Sequence, residues 1–386
     1  MATKQFDKAK QQKADEFYTR LEDIELGLRN YKSFFKNKII LCNCDDPYES
    51  NFFKYFAMNF NHFELKKLIA IGYNLSPIAG KEINVFNIMD DTSGKSNAFK
   101  IEITETPDFN LDGAVDLNDI KLLLEDNKNV LTKLKENGDF RSKESIDLLK
   151  EADIVVTNPP FSLFRGFVEQ LEEYKKDFII IGNTNALSYK EIFRMFKENK
   201  IRTGYTNFNK GMFFMVPEHY KKYTKKVNNI KYVRVSNSCW FTSLPVRKHQ
   251  ETLTLYRKYD EKKFPKYVNY NAINVDTWRD IPSDYDGEIG VPITFLDKYN
   301  PEQFEIIALG ITGSIDFSNE RRMEILNKGE PTGQFTINAK GTLYRKWNSA
   351  KDKKAPAFRD VETGELYQSI YARVIIKKKK EQKSCE

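Results

Sequence analysis

Asp153-Ile154-Val155-Val156-Thr157-Asn158-Pro159-Pro160-Phe161 decides the fold. Residues 153–157 read as a short strand buried on both faces, as in a parallel sheet. It ends abruptly at Asn158-Pro159-Pro160, because proline has no N–H to continue a ladder and forces the preceding residue into an extended conformation. A helix is expected from about Ser162. A polar loop at the carboxyl end of an apolar strand is where open α/β sheets place their ligands. A given four-residue string such as Asn158–Phe161 arises by chance in a chain of this length with a probability on the order of one in several hundred.

The same alternation extends outward on both sides. Residues 38–45 read as a buried strand, Ser50 as an N-cap, and Phe52, Phe53, Phe56 and Phe60 as the apolar face of a helix. Residues 66–73 read as a second strand, 81–105 as two strands around a turn at Thr92–Ser96, 178–182 as a further strand and 189–199 as a further helix. Strand, helix, strand, helix predicts a doubly wound, Rossmann-like α/β sheet over residues 1–225. Residues 226–386 read as a separate, loop-rich region with strand-like segments.

Composition bounds the function. The chain has 386 residues, 40% hydrophobic and 30% charged, enough for a sizeable core. No apolar stretch is long enough for a membrane helix, and Met1–Lys13 lacks the apolar segment of a secretory signal. Cys42, Cys44, Cys239 and Cys385 do not form a disulfide framework, so a cytoplasmic location is expected. The net charge of +7 is unevenly spread. Residues 220–270 carry 13 Lys/Arg against three acids, and residues 331–386 carry 13 against six, so the rest of the chain is acidic. Both basic segments are interleaved with aromatics, among them Tyr223, Tyr232, Trp240, Tyr344 and Trp347. That pattern suits a phosphate backbone with exposed bases, and it also suits a lysine-rich solvated face.

The stiff Asn158–Phe161 loop aims two acceptors outward, the Asn158 amide oxygen and the Pro159 carbonyl. Together they can hold both hydrogens of an exocyclic amine, which makes its nitrogen nucleophilic. Phe161 offers a flat face on which a base can stack. The alternative is a Pro-rich turn with Asn158 as a cap.

At this loop the chain resembles the class I S-adenosylmethionine-dependent amino-methyltransferases, and more narrowly the EcoRI-type adenine-N6 DNA methyltransferase family. The matching strings are Asp15–Thr19, Cys42–Pro47, Ser50–Phe56, Gly138–Glu144, Asp153–Arg165, Val216–Tyr220 and Gly290–Phe295, spanning roughly residues 14–310. The resemblance implies a seven-stranded methyltransferase sheet as the catalytic domain and a basic C-terminal target-recognition region. It implies that Asn158, Pro159, Pro160 and Phe161 hold a flipped adenine, and that Phe17, Tyr18 and Thr19 pack around the methionine part of S-adenosylmethionine. Cys42, Asn43, Cys44, Asp45 and Asp46 would form the first cofactor loop, and Asp139 and Phe140 would bond and stack the cofactor's adenine. Double-stranded DNA is the implied partner; the chain would act either beside a cognate restriction endonuclease or alone, in an orphan or phage setting, and a monomer is compatible with methylating one strand at a time. Two features depart from the family pattern. The glycine-rich first loop is absent, and the second strand ends in Gly72-Tyr73-Asn74 without an acid for the ribose. Other readings of single residues stay open: Phe17 and Tyr18 as core aromatics, Asp45 and Asp46 as helix caps, Cys42 and Cys44 as small buried residues. The loop alone also admits methylation of cytosine N4, of RNA adenine or of protein glutamine, and a catalytically silent DNA-binding module.

Two further motifs lie outside this resemblance. Residues 108–119, within an EF-hand-like insertion at about 106–136, place Asp108, Asn110, Asp112, Asp116 and Asp119 at positions 1, 3, 5, 9 and 12 of a calcium loop, with Gly113 at position 6. The expectation is either a structural Ca²⁺ site or an acidic turn capping a helix. Ser93-Gly94-Lys95-Ser96 fails as a phosphate loop, because Met89 stands where the first glycine is required. His62, His219 and His249 show no zinc spacing.

Overall fold

A two-residue strand, Tyr18–Thr19 (β1), and the helix Leu21–Leu28 (α1) lead into the first apolar run, Ile39–Cys42 (β2). All four residues of β2 are buried, which is why an Ile-Ile-Leu-Cys run without polar alternation forms a central strand. Ser50 caps Asn51–Met58 (α2) by accepting the Phe52 amide at 3.1 Å, and Phe52, Phe53 and Phe56 fill its buried face. Then come Lys67–Gly72 (β3), Phe99–Ile103 (β4), Leu117–Asp126 (α3), Leu131–Lys133 (β5) and Lys143–Glu151 (α4). The Ile-Val-Val-Thr run forms Ile154–Thr157 (β6), followed by Phe164–Glu173 (α5), Asp177–Asn183 (β7) and Lys190–Lys197 (α6). This structure, a computed structural model, describes residues 18–44, 50–72, 98–126, 131–216, 218, 220–311, 313–316, 321–337, 342–370 and 372–379.

Five more strands belong with this part of the chain: Arg202–Thr203 (β8), Met212–Val216 (β9), Lys225–Val227 (β10), Ile230–Val235 (β11) and Ser238–Thr242 (β12). The main sheet runs β5-β4-β3-β2-β6-β7-β12-β8. Its centre, β3-β2-β6-β7, is parallel, and the outer strands are antiparallel. The doubly wound α/β expectation holds. The sheet has eight strands rather than seven, because β4–β5 and β12–β8 each extend an edge of the parallel core. A second sheet, β1-β9-β11-β10, is antiparallel throughout.

The chain divides into two units, Met1–Ala186 with Ile201–Pro245, and Leu187–Lys200 with Val246–Glu386. The second contains a four-stranded sheet and a five-stranded sheet. In it His249 is buried with Nδ1 2.8 Å from the Tyr299 carbonyl, a structural role. Among the described residues no helix is long and apolar enough to cross a membrane, and Cys42 and Cys239 are buried.

Trp240 on β12 is the largest side chain buried in the first unit, only 1% exposed. Its indole meets the Phe52 ring edge-on at 5.9 Å and lies flush against Gly27 of α1. A Cβ at position 27 would stand 2.4 Å from the indole. Alanine for glycine inside a helix ordinarily stabilises by about 1 kcal/mol. Here we expect the opposite sign: Gly27→Ala should destabilise by roughly 1–3 kcal/mol, the range for overpacking a filled core, read as a lowered urea midpoint.

Candidate active site

The chain passes from β2 through α2 to β3 on one side of the sheet, and from β6 through α5 to β7 on the other. β2 and β6 are hydrogen-bonded neighbours, Ile40 opposite Ile154 and Leu41 opposite Val155. Their carboxyl ends therefore flank the crevice where the winding reverses, the usual ligand site of such sheets. Cys42, Asn43 and Cys44 lie at the end of β2, and Asn158, Pro159, Pro160 and Phe161 at the end of β6. Pro159 is buried, while Asn158 and Phe161 remain partly exposed. The Leu163 amide donates to the Pro160 carbonyl at 2.9 Å, closing the turn into α5.

β9 ties this loop to a segment 140 residues earlier in sequence. Phe214 meets the Phe161 ring edge-on, with centroids 6.3 Å apart at 85°. Its register partner on β1 is Thr19, and Tyr18 pairs with Met215. Asn51, the first residue of α2, donates from Nδ2 to the Thr19 carbonyl at 2.8 Å. Tyr18 and Thr19 are thus brought to the Asn158–Phe161 loop by one strand. Phe17, Asp45 and Asp46 lie outside the described residues, as does His219.

Asp139 and Phe140 occupy the turn before α4. Gly138 enters that turn at φ +73°, and a Cβ there would stand 3.1 Å from the Gly72 carbonyl, so the turn runs against the end of β3. Phe140 is buried, edge-on to Phe167 of α5 at 5.1 Å, and its carbonyl accepts from Gln170 Nε2 at 3.1 Å. Both Asp139 carboxylate oxygens are held by Arg141, Oδ1 by Nε at 2.8 Å and Oδ2 by Nη2 at 2.6 Å. This pairing holds the Asp139 carboxyl below its ordinary range, against a smaller opposing effect of burial. The Arg141 guanidinium also lies 5.2 Å from the Phe140 ring centroid.

Arg141, Phe214 and Asn51 have no role in the sequence reading. Arg141 and Asn51 stand inside strings matched to the family, and Phe214 lies in the apolar run Met212–Val216. Their partners are far away in sequence or set by the local turn, which spacing does not disclose.

The cofactor expectation can be tested on buried polar atoms. Thr19 Oγ1 and Asn43 Nδ2 are buried and find no hydrogen-bond partner among the described residues. Buried polar groups of this kind can serve a bound polar ligand. One is an acceptor and donor, the other a donor, which fits the amino-acid and sugar oxygens of S-adenosylmethionine.

In the acidic loop, the five side chains at the calcium-loop positions act as hydrogen-bond acceptors within the loop. Asp108 Oδ2 accepts from the Gly113 amide, Asn110 Oδ1 from Asp112, Asp112 Oδ1 from Ala114 and Asp116 Oδ1 from Asn118. Asp119 is buried and accepts the Phe109 and Asp116 amides through its two oxygens. Asp108 Oδ1 is buried and has no hydrogen-bond partner among the described residues. Among the described residues no group of three or more His, Cys, Asp or Glu is arranged to hold a metal ion.

Comparison with known proteins places these features in a family. The profile described as adenine-specific methyltransferase EcoRI matches residues 5–379. The chain is 46% identical over 307 residues to the type II methyltransferase M.EcoRI of Escherichia coli, covering 78% of this chain and 87% of that protein. It is 39% identical over 310 residues to the type II methyltransferases M.MgeORF184P of Mycoplasma genitalium and M.MpnI of Mycoplasma pneumoniae, covering 78% of this chain and 85% and 84% of theirs. No solved structure matches significantly. A profile match over nearly the whole length, on a sheet whose switch point carries Asn-Pro-Pro-Phe, identifies the chain as a member of the EcoRI-type adenine-specific methyltransferase family.

Proposed function

We propose that Asn158–Phe161 is the catalytic loop for the reaction that family membership fixes, S-adenosylmethionine-dependent methylation of adenine N6 at specific sites in DNA. The observation that carries the assignment is the convergence on β9: Thr19 and Phe214 are register partners, and Phe214 touches Phe161. One strand therefore fixes the distance between a cofactor segment and a base platform.

In this reading the duplex docks on the basic segments 220–270 and 331–386, and the target adenine leaves the stack. The Asn158 amide oxygen and the Pro159 carbonyl accept the two N6 hydrogens and concentrate the lone pair on N6. Phe161, steadied by Phe214, supports the ring of the base. Tyr18, Thr19, Asn43, Asp139 and Phe140 hold the cofactor, together with Phe17, Cys42, Cys44, Asp45 and Asp46 of the same strings. S-adenosylmethionine supplies an electrophilic methyl group. The residues of the loop contribute mainly by positioning. The enzyme works in the cytoplasm as a monomer, one strand at a time, either beside a cognate restriction endonuclease or alone.

The test is expression in a host lacking adenine methylation, with N6-methyladenine mapped at single-base resolution. We expect one short methylated motif. Absence of methyladenine from a cofactor-binding protein would redirect the reading to cytosine, RNA or protein. Asn158→Ala should lower kcat on the order of 10²-fold, the loss typical of one aligned hydrogen-bonding group, with cofactor affinity little changed.

Asp139 yields a pH prediction. A carboxyl held below its ordinary value stabilises the fold above that value, and the stabilisation is lost as pH falls through the depressed value. The difference in urea midpoint between the wild type and Asp139→Asn should be constant above about pH 5 and close at more acid pH.

A further inference from the structure

Tyr220–Val235 contains six Lys/Arg and neither Asp nor Glu. Its centre is a two-stranded ribbon, β10 paired antiparallel with β11. The turn residues Asn228 and Asn229 have φ 47° and 63°, the doubled left-handed conformation of the tight hairpin turn whose twist matches its strands. Every residue from 221 to 230 is exposed. The ribbon is nevertheless ordered chemically. The Lys225 ammonium lies 4.4 Å from the Phe213 centroid and 5.4 Å from that of Tyr232, and Lys231 lies 5.3 Å from that of Tyr223. Lys231 also donates to the carbonyls of Glu218 and Tyr220, and Arg234 to that of Lys210. These cations rest on ring faces and carbonyls, and among the described residues none of the three is paired with a carboxylate. Lys226 stands directly opposite Lys231, a like-charge pair that works against the ribbon in isolation. A polyanion laid along the ribbon removes that penalty.

The tip differs chemically from the shaft. Val227 and Ile230 are register partners flanking the turn, 47% and 44% exposed, and they form an apolar end on a cationic ribbon. The root is fixed: β11 pairs with β9 at Val233–Phe214, and Phe214 is the residue against Phe161. From Val233 to Asn229 is four residues, so the tip projects roughly 13 Å beyond that contact.

We propose that this ribbon is the wedge that opens the duplex for base flipping: Val227 and Ile230 insert into the base stack beside the target adenine while the flanking lysines hold the phosphates. Apolar side chains inserted between base steps unstack them and kink the duplex. Flipping requires unstacking and unpairing worth a few kcal/mol, least for a base already mispaired. The proposal rests on the reading of Asn158–Phe161 as the pocket that receives the base.

The test uses the full chain carrying Val227→Ser and Ile230→Ser together. Both positions are exposed, so the urea midpoint should be unchanged, and that is checked first. Single-turnover methylation is then measured on a matched duplex containing the mapped site, and on the same duplex with the base opposite the target adenine removed. Flipping is read separately as the fluorescence of 2-aminopurine at the target position. We expect about a tenfold or greater loss of rate and a reduced 2-aminopurine signal on the matched duplex. On the duplex with the missing partner base, the rate should return to near that of the unmodified protein. Equal rates for variant and wild type on the matched duplex, or an equal loss on both duplexes, would overturn the wedge. Lys226→Ala should lower the slope of log affinity against log salt by about one. If the unmodified protein methylates no adenine, the pocket reading fails instead, an outcome distinct from failure of the wedge.

Discussion

The pairing of β2 with β6 is the constraint on which the site depends. These two strands are adjacent in space but separated by more than a hundred residues, and they meet where the sheet reverses its winding. Asp153 fixes their starting register from both of its groups. Its carboxylate accepts the Ile39 amide at 2.8 Å, and its own amide donates to the Ile39 carbonyl at 2.9 Å. With the amino ends locked, the carboxyl ends are brought level, and the loops that follow share one crevice. A one-residue slip would separate them, because register in a sheet moves in whole residues.

The second sheet gives that crevice its working geometry. β9 carries Met212, Phe214 and Val216 inward, and its two neighbours are the earliest described segment of the chain and the basic ribbon. An antiparallel strand has two hydrogen-bonding edges. β9 uses one for β1 and the other for β11, so Tyr18–Thr19 and the basic ribbon are set in register by the same backbone. The Phe214–Phe161 contact joins that sheet to the main one. Such an arrangement favours a reaction that needs little acid–base chemistry and much positioning.

Much of the fold was legible in the sequence. Ile39–Cys42, Lys67–Gly72, Ile154–Thr157 and Asp177–Asn183 are apolar runs bounded by breakers, and each forms the strand that its pattern predicts. Ser50 caps its helix for the reason its type suggests. Other elements carry no such signal. Ser238–Thr242 inserts antiparallel between β7 and β8, and nothing in Ser-Cys-Trp-Phe-Thr says which strand it will join. Tyr18–Thr19 is two residues long, too short for any periodicity to mark it as a strand.

The sequence by itself determined the parallel core, the stiffness of Asn158–Phe161 and the density of positive charge in Tyr220–Val235, since each follows from local backbone chemistry or from composition. Tertiary structure alone decided what those features face. It set Thr19 opposite Phe214, closed both Asp139 oxygens on Arg141, and aligned Val227 with Ile230 at the end of the ribbon. The physical reason is range. Backbone stiffness and hydrophobic alternation act over a few residues, whereas strand partnership and ring contacts join segments far apart in sequence whose encounter no local pattern encodes.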